Sequence, residues 1–223
     1  MHVTDRRGRG GSAPHGADYS IESECQDLLA VQKATGARFV FGHSYGGLIV
    51  LEAMTRGADF NTASVFEPGV SIDDSIPTTW LPRYRELLAR GDAYGAFAHF
   101  IGSNPQSPAI ARLLPHWYLR LALHAMPGFG ERISPLLEGN AAEHEQVARC
   151  NNGLGGYRAI EGGVQLLGGA RSPEFVRATI TSLAHTIPGS NATVLPGLSH
   201  LAPLARNPSA LARAVDAYLS TNR

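Results

Sequence analysis

The sequence predicts an α/β protein with a mostly parallel sheet and a helical insertion, on three observations. Residues 37–41 form an apolar, β-favouring run; the turn Gly42-His43-Ser44-Tyr45-Gly46 follows, then an apolar run over 47–54, giving strand, tight turn and buried helix in succession. Near the other end, residues 191–197 read as a short strand closing in a turn, with Leu198-Ser199-His200 directly after it. Between these two blocks, from Thr78 to Asn151, strand signal gives way to helix signal.

Taken in order, the first helix is capped by Ser20, buries Ile21, Cys25, Leu28 and Leu29, and ends near Gly36. The strand at 37–41 and the helix at 47–54 follow, then a strand over 63–66. Proline and glycine punctuate the insertion into helices at 80–90, 93–101, 109–125 and 141–150. A strand over 163–168 and the strand beginning at Asn191 complete the sheet. Asn207 and Pro208 suit the N-cap and first residue of a last helix, whose apolar face is Leu211, Val215, Tyr218 and Leu219. The expected division is 1–74 for the first part of the core, 75–158 for the helical cap and 159–223 for the second part.

Chemistry concentrates at Ser44. A serine between a buried strand and a buried helix, with glycines two positions away on each side, is a nucleophile elbow. Its turn is strained, so a side chain at Gly42 or Gly46 is expected to collide with the neighbouring strand or helix. The helix N-terminus behind the serine and the Tyr45 backbone N–H form the expected oxyanion hole. His200, on the loop after the last strand, is placed to act as general base on Ser44.

With these residues in hand, the chain resembles an α/β-hydrolase of the capped, cofactor-free esterase and lipase-like branch. Four segments carry the likeness, in the family's order. Residues 5–12, Asp-Arg-Arg-Gly-Arg-Gly-Gly-Ser, resemble the loop after the fourth strand; Gly42 to Gly46 is the elbow; Phe66-Glu67-Pro68 resembles the end of the sixth strand; Pro196 to His200 is the histidine loop. The resemblance implies a serine hydrolase acting on a carboxylic ester of a small or medium apolar substrate through an acyl-enzyme, without cofactor or metal. Serine at position 44 separates the chain from the dehalogenase and epoxide-hydrolase branches, which the resemblance would give an aspartate there. A non-catalytic or weakly active binding module, and non-hydrolytic members such as perhydrolases or hydroxynitrile lyases, are the alternatives. Trp80, Trp117, Tyr118, Leu121 and Met126 of the cap either line an acyl pocket or pack the cap.

Two features depart from that pattern. The family's acid usually follows the strand before the histidine strand, where this chain has Arg171 and Ser172 and no carboxylate. Glu67 is the preferred acid, one strand earlier; Glu174 in the next helix, or no acid at all, are the other readings, and Asp73 and Asp74 are weaker candidates in a solvated loop. Second, His2 to Asp5 resembles the end of the fourth strand, so the fold is expected to be N-terminally incomplete. The strand at 37–41 is then expected to have an open edge and to favour association, homo-oligomers included.

Bulk properties narrow the function. Nineteen basic against nineteen acidic residues leave no electrostatic footprint for nucleic acid. No run reaches the roughly 18 apolar residues of a membrane span. His99, His116, His124 and His144 lack a ligand spacing, and the His144-Glu145 pair lacks the second histidine of a zinc-protease helix. Two cysteines far apart argue against a disulfide framework and for a reducing cytoplasm.

Overall fold

The computed structural model describes residues 1–204 and 209–221; Asn207 and Pro208, the expected helix cap, lie outside the described residues. The chain divides into two compact units: Met1–Tyr19 with Ile76–Arg149, and Ser20–Ser75 with the chain from Cys150 on.

The second unit carries a four-stranded, all-parallel sheet, β1 (Phe39–His43), β2 (Thr62–Phe66), β3 (Gly163–Gly169) and β4 (Asn191–Leu195), in the order β1-β2-β3-β4. The central pair reads as it should for strands covered on both faces: every residue of β2 is buried, as are Val164 to Gly169 of β3. The two edge strands are more open, and β1 pairs only with β2 among the described residues. β1 lies two residues later than the apolar run suggests, because Gly42 and His43 continue the ladder opposite Val65 and Phe66. Hydrophobic pattern alone does not reveal that a glycine and a histidine are paired.

Helix α1 (Ile21–Thr35) begins at a capping box made by Ser20 and Ser23 and ends at Gly36 with φ 66°, as its cap residues predict. Its Cys25 is fully buried against α2 (Tyr45–Thr55), the thiol lying 3.8 Å from the Ile49 carbonyl; burial pushes that thiol up to about 12. Cys25 and Cys150 are both free. The buried Ser64 hydroxyl donates to Gln165 Oε1 at 2.7 Å, and the Gln165 amide donates onward to the Ala214 carbonyl. The polar pair inside the sheet is therefore satisfied rather than orphaned.

In the first unit the helices are α3 (Leu81–Ala89), α4 (Ala93–Ser103), α5 (Ala109–Leu113), α6 (His116–His124) and α7 (Leu137–Arg149). The single helix expected over 109–125 is two helices, since Pro115 removes a backbone donor and drives Leu114 to an extended conformation. α7 starts four residues before Ala141. Trp80, Tyr84, Ala96, Leu119, Leu123, Phe129 and Leu137 form this unit's core, with the Trp80 ring edge-on to Tyr84, Phe100 and His144 at 4.8–5.0 Å between centroids. Trp80 thus packs the cap, whereas Trp117, Tyr118, Leu121 and Met126 are exposed. Residues 1–6 form no strand, contrary to the likeness of His2 to Asp5 to a strand end. This segment instead runs into turns: the Gly11 N–H and the Ser12 hydroxyl bond to Asp5, and Arg6 and Arg9 both reach Glu143. No described helix is long and apolar enough to cross a membrane.

The remaining helices of the second unit are α8 (Glu174–Thr186), between β3 and β4, and α9 (Ser209–Thr221). Phe66, Leu167, Ala202 and Leu211 cluster with Leu195, Leu198 and Val215, seating the histidine loop and α9 against the sheet.

Candidate active site

Parallel register builds the site. His43 pairs with Phe66, and Phe66 with Leu167, so Ser44 and Glu67 stand one residue beyond the ends of β1 and β2, level with Gly168 near the end of β3. The carboxyl ends of adjacent parallel strands are where such sheets place their chemistry. Ser44 has φ 54° and ψ −123°, a region costly for any residue with a side chain, of order 1–3 kcal/mol. Four backbone bonds hold it there: Ser44 N–H donates to Phe66 O at 3.1 Å, while Gly47, Leu48 and Gly69 N–H donate to Ser44 O at 2.9, 3.1 and 2.8 Å. Although Ser44 stands at the N-cap of α2, its hydroxyl caps nothing. It is 3.1 Å from His200 Nε2 instead.

His200 Nδ1 lies 2.9 Å from Glu67 Oε2. A carboxylate only accepts, so Nδ1 carries the proton and Nε2 accepts from the Ser44 hydroxyl. The second Glu67 oxygen accepts from Gly169 N–H at 2.7 Å and from the Ser172 hydroxyl at 2.5 Å. Burial opposes the charge on Glu67, yet the bonds from His200, Ser172 and Gly169 outweigh it and hold the carboxyl below the ordinary carboxylate range. Glu67 itself has φ 45°, so the acid as well as the serine occupies a left-handed backbone position directly after a strand.

Each sequence-predicted residue can now be placed. Ser44, His200 and Glu67 converge. Glu174 is exposed at the start of α8, and the His200 Nδ1 position is taken by Glu67. Asp73 and Asp74 form an exposed turn tied to Asn151 and Asn152. Tyr45 is the first residue of α2, its ring buried and its N–H at the helix N-terminus beside Ser44. The expected collision is half corrected. A Cβ on Gly42 meets Gly46 O at 2.6 Å, but one on Gly46 meets nothing within 4 Å. The second close approach is at Gly47, 2.9 Å from Pro68. The reason is helical direction: Gly46 points out of the turn, and Gly47, one residue on, faces the strand-end chain of Glu67-Pro68.

Sequence reasoning missed Ser172 and His43. Ser172 carried a usable signal, a hydroxyl in the slot where the resemblance places the acid. His43 at the end of β1 puts Nε2 2.9 Å from the His200 carbonyl oxygen. Desolvation, together with the nearby His200, pushes the His43 imidazole down to about 4, so it is neutral at pH 7. Among the described residues no group of three or more His, Cys, Asp or Glu side chains is placed to hold a metal ion.

A hydroxyl, an imidazole and a buried carboxylate in line can move one proton from oxygen to nitrogen and stabilise the resulting imidazolium. Comparison with known proteins bears on the fold and the family. An α/β-hydrolase from Sphaerobacter thermophilus superposes with a TM-score of 0.73 at 28% identity, covering 95% of this chain and 79% of its own. The enol-lactonase from Burkholderia xenovorans LB400 gives 0.68 at 19% identity, covering 97% and 79%. A structure described with carboxylesterases of the ammonia-oxidising thaumarchaeon Nitrososphaera gargenis gives 0.70 at 16% identity, covering 98% and 78%. No curated protein matches. The profile described as the alpha/beta hydrolase family matches residues 2–214. The chain belongs to the alpha/beta hydrolase family.

Proposed function

We propose that this chain is a serine hydrolase that cleaves a carboxylic ester of a small or medium apolar substrate through an acyl-enzyme. The observation that carries the reading is the unbroken line of contacts from Ser44 Oγ through His200 to Glu67. In the first half-reaction Ser44 Oγ bonds to the ester carbonyl carbon as its proton passes to His200 Nε2. The carbonyl oxygen becomes an oxyanion beside the Tyr45 N–H and the positive end of α2. Collapse breaks the bond to the alcohol oxygen, which takes the proton from Nε2. Water then repeats the sequence on the acyl-enzyme, giving one proton to His200 and releasing the acid, and the proton returns to Ser44. Glu67 stays ionised throughout and steadies the imidazolium.

One observation supports the substrate class. A lactone is a cyclic carboxylic ester, so the similar enol-lactonase fold carries chemistry of the same bond type. Two free thiols suit a reducing compartment such as the cytoplasm.

Fluorophosphonate labelling tests the reading. Wild type is expected to label and to hydrolyse p-nitrophenyl butyrate, and Ser44→Ala to do neither. A folded wild type that neither labels nor turns over would replace the enzyme by a binding module of the same fold.

A further inference from the structure

His43 does no work in the proton transfer just described, yet its side chain ties the strand carrying the nucleophile directly to the backbone of the base. β1 and β4 are opposite edges of the four-stranded sheet. His200 follows β4, so its loop must return across three strand spacings, about 14 Å at roughly 4.8 Å each, to reach Ser44. The loop is anchored at its near end. Arg171 N–H donates to Leu198 O at 2.8 Å, Ala202 N–H to Ser199 O at 2.8 Å, and a Cβ on Gly169 would stand 2.5 Å from Leu198 O. At the far end, His43 Nε2 lies 2.9 Å from His200 O.

We propose that His43 is a positioning residue whose Nε2–H donates to the His200 carbonyl and fixes the base over Ser44, an inference that rests on the serine-hydrolase reading for its kinetic consequence only. The acceptor is a carbonyl, so the proton must be on His43 Nε2. The ring is also wedged between Phe66 and His200, at 5.8 and 4.8 Å between centroids. It is neutral at working pH and so adds no charge that would oppose protonation of His200 in the transition state. Its backbone leads into Ser44, so one residue sets nucleophile and base in a common frame. Misplacement of a reacting group by about 1 Å costs up to roughly 100-fold in rate, which makes such a tie consequential.

Two variants separate positioning from packing. His43→Phe keeps a ring in the wedge and removes the donor; His43→Gln sacrifices the ring and restores an N–H near the Nε2 position. His43→Phe is expected to lower kcat by about 10- to 100-fold with KM changed less than about threefold, and His43→Gln to recover most of the loss. The same comparison is read without substrate in the downfield Nδ1–H proton signal of His200, by NMR on imidazole-labelled protein. That signal is expected in wild type and His43→Gln, and broadened or lost in His43→Phe. Equal signals in all three, or a His43→Gln as impaired as His43→Phe, overturn the proposal. Should the wild type show the signal pattern but no turnover, the hydrolase reading fails while the positioning role stands.

Discussion

Ser172 Oγ donates to Glu67 Oε1 at 2.5 Å, with both side chains buried. The turn after β3, where the resemblance would put an acid, thus supplies a donor to a carboxylate one strand earlier. The two facts explain each other. A carboxylate just after β2 that is ionised without solvent needs partners for its second oxygen, and the chain at the end of β3 supplies them through Gly169 and Ser172.

Ser172→Ala leaves one of Glu67's three bonds unmade. Hydrogen bonds to buried charges contribute about 1.5–3 kcal/mol, so urea unfolding is expected to show a loss of that order. Turnover is expected to fall less than about tenfold, since His200 and Gly169 still hold the carboxylate.

Glu67→Gln keeps the shape and removes the charge. In the related triad template such a change costs about 10⁴-fold in kcat, and a loss of roughly 10³–10⁴ is expected here with KM little altered. Glu174→Gln, at an exposed helix start, is expected to stay within about twofold. Steady-state kinetics on both variants decides between the two carboxylates, and equal, small effects would leave the site without its acid.

The elbow glycines are not equivalent. Gly42→Ala and Gly47→Ala push a methyl group to 2.6 and 2.9 Å from neighbouring chain atoms, whereas Gly46→Ala enters open space. Thermal melts are expected to show losses of about 2 kcal/mol or more for the first two. Gly46→Ala is expected to be neutral or to gain about 0.5–1 kcal/mol from helix propensity.

Acid is expected to weaken the fold in a definite window. His43 titrates near 6.5 when unfolded and at about 4 when folded. Between those values the unfolded chain binds the extra proton, so stability falls as pH falls, by up to about 3 kcal/mol at pH 4 from this group alone. Glu67, held below its ordinary range, adds a loss that begins below about pH 4.5 and runs down to its folded value. Urea titrations at pH 7, 5.5 and 4 on wild type and His43→Gln measure the first part, which the variant is expected to lack.

Local sequence was sufficient for the parts that local chemistry controls. Ser20 and Gly36 bound α1, Ser44 stands between β1 and α2, and His200 lies on the loop after β4. Even the break between α5 and α6 was written in Leu114-Pro115, though an unbroken helix was the expectation. What only the tertiary structure decided is which carboxylate faces the imidazole, why Ser172 stands where an acid is usual, which glycine is crowded, and that His43 reaches the base. Glycine crowding aside, each of these is a relation between strand ends that parallel register brings side by side from positions more than a hundred residues apart in sequence. No pattern within one segment encodes that alignment; the packing of β2 and β3 between their neighbours does.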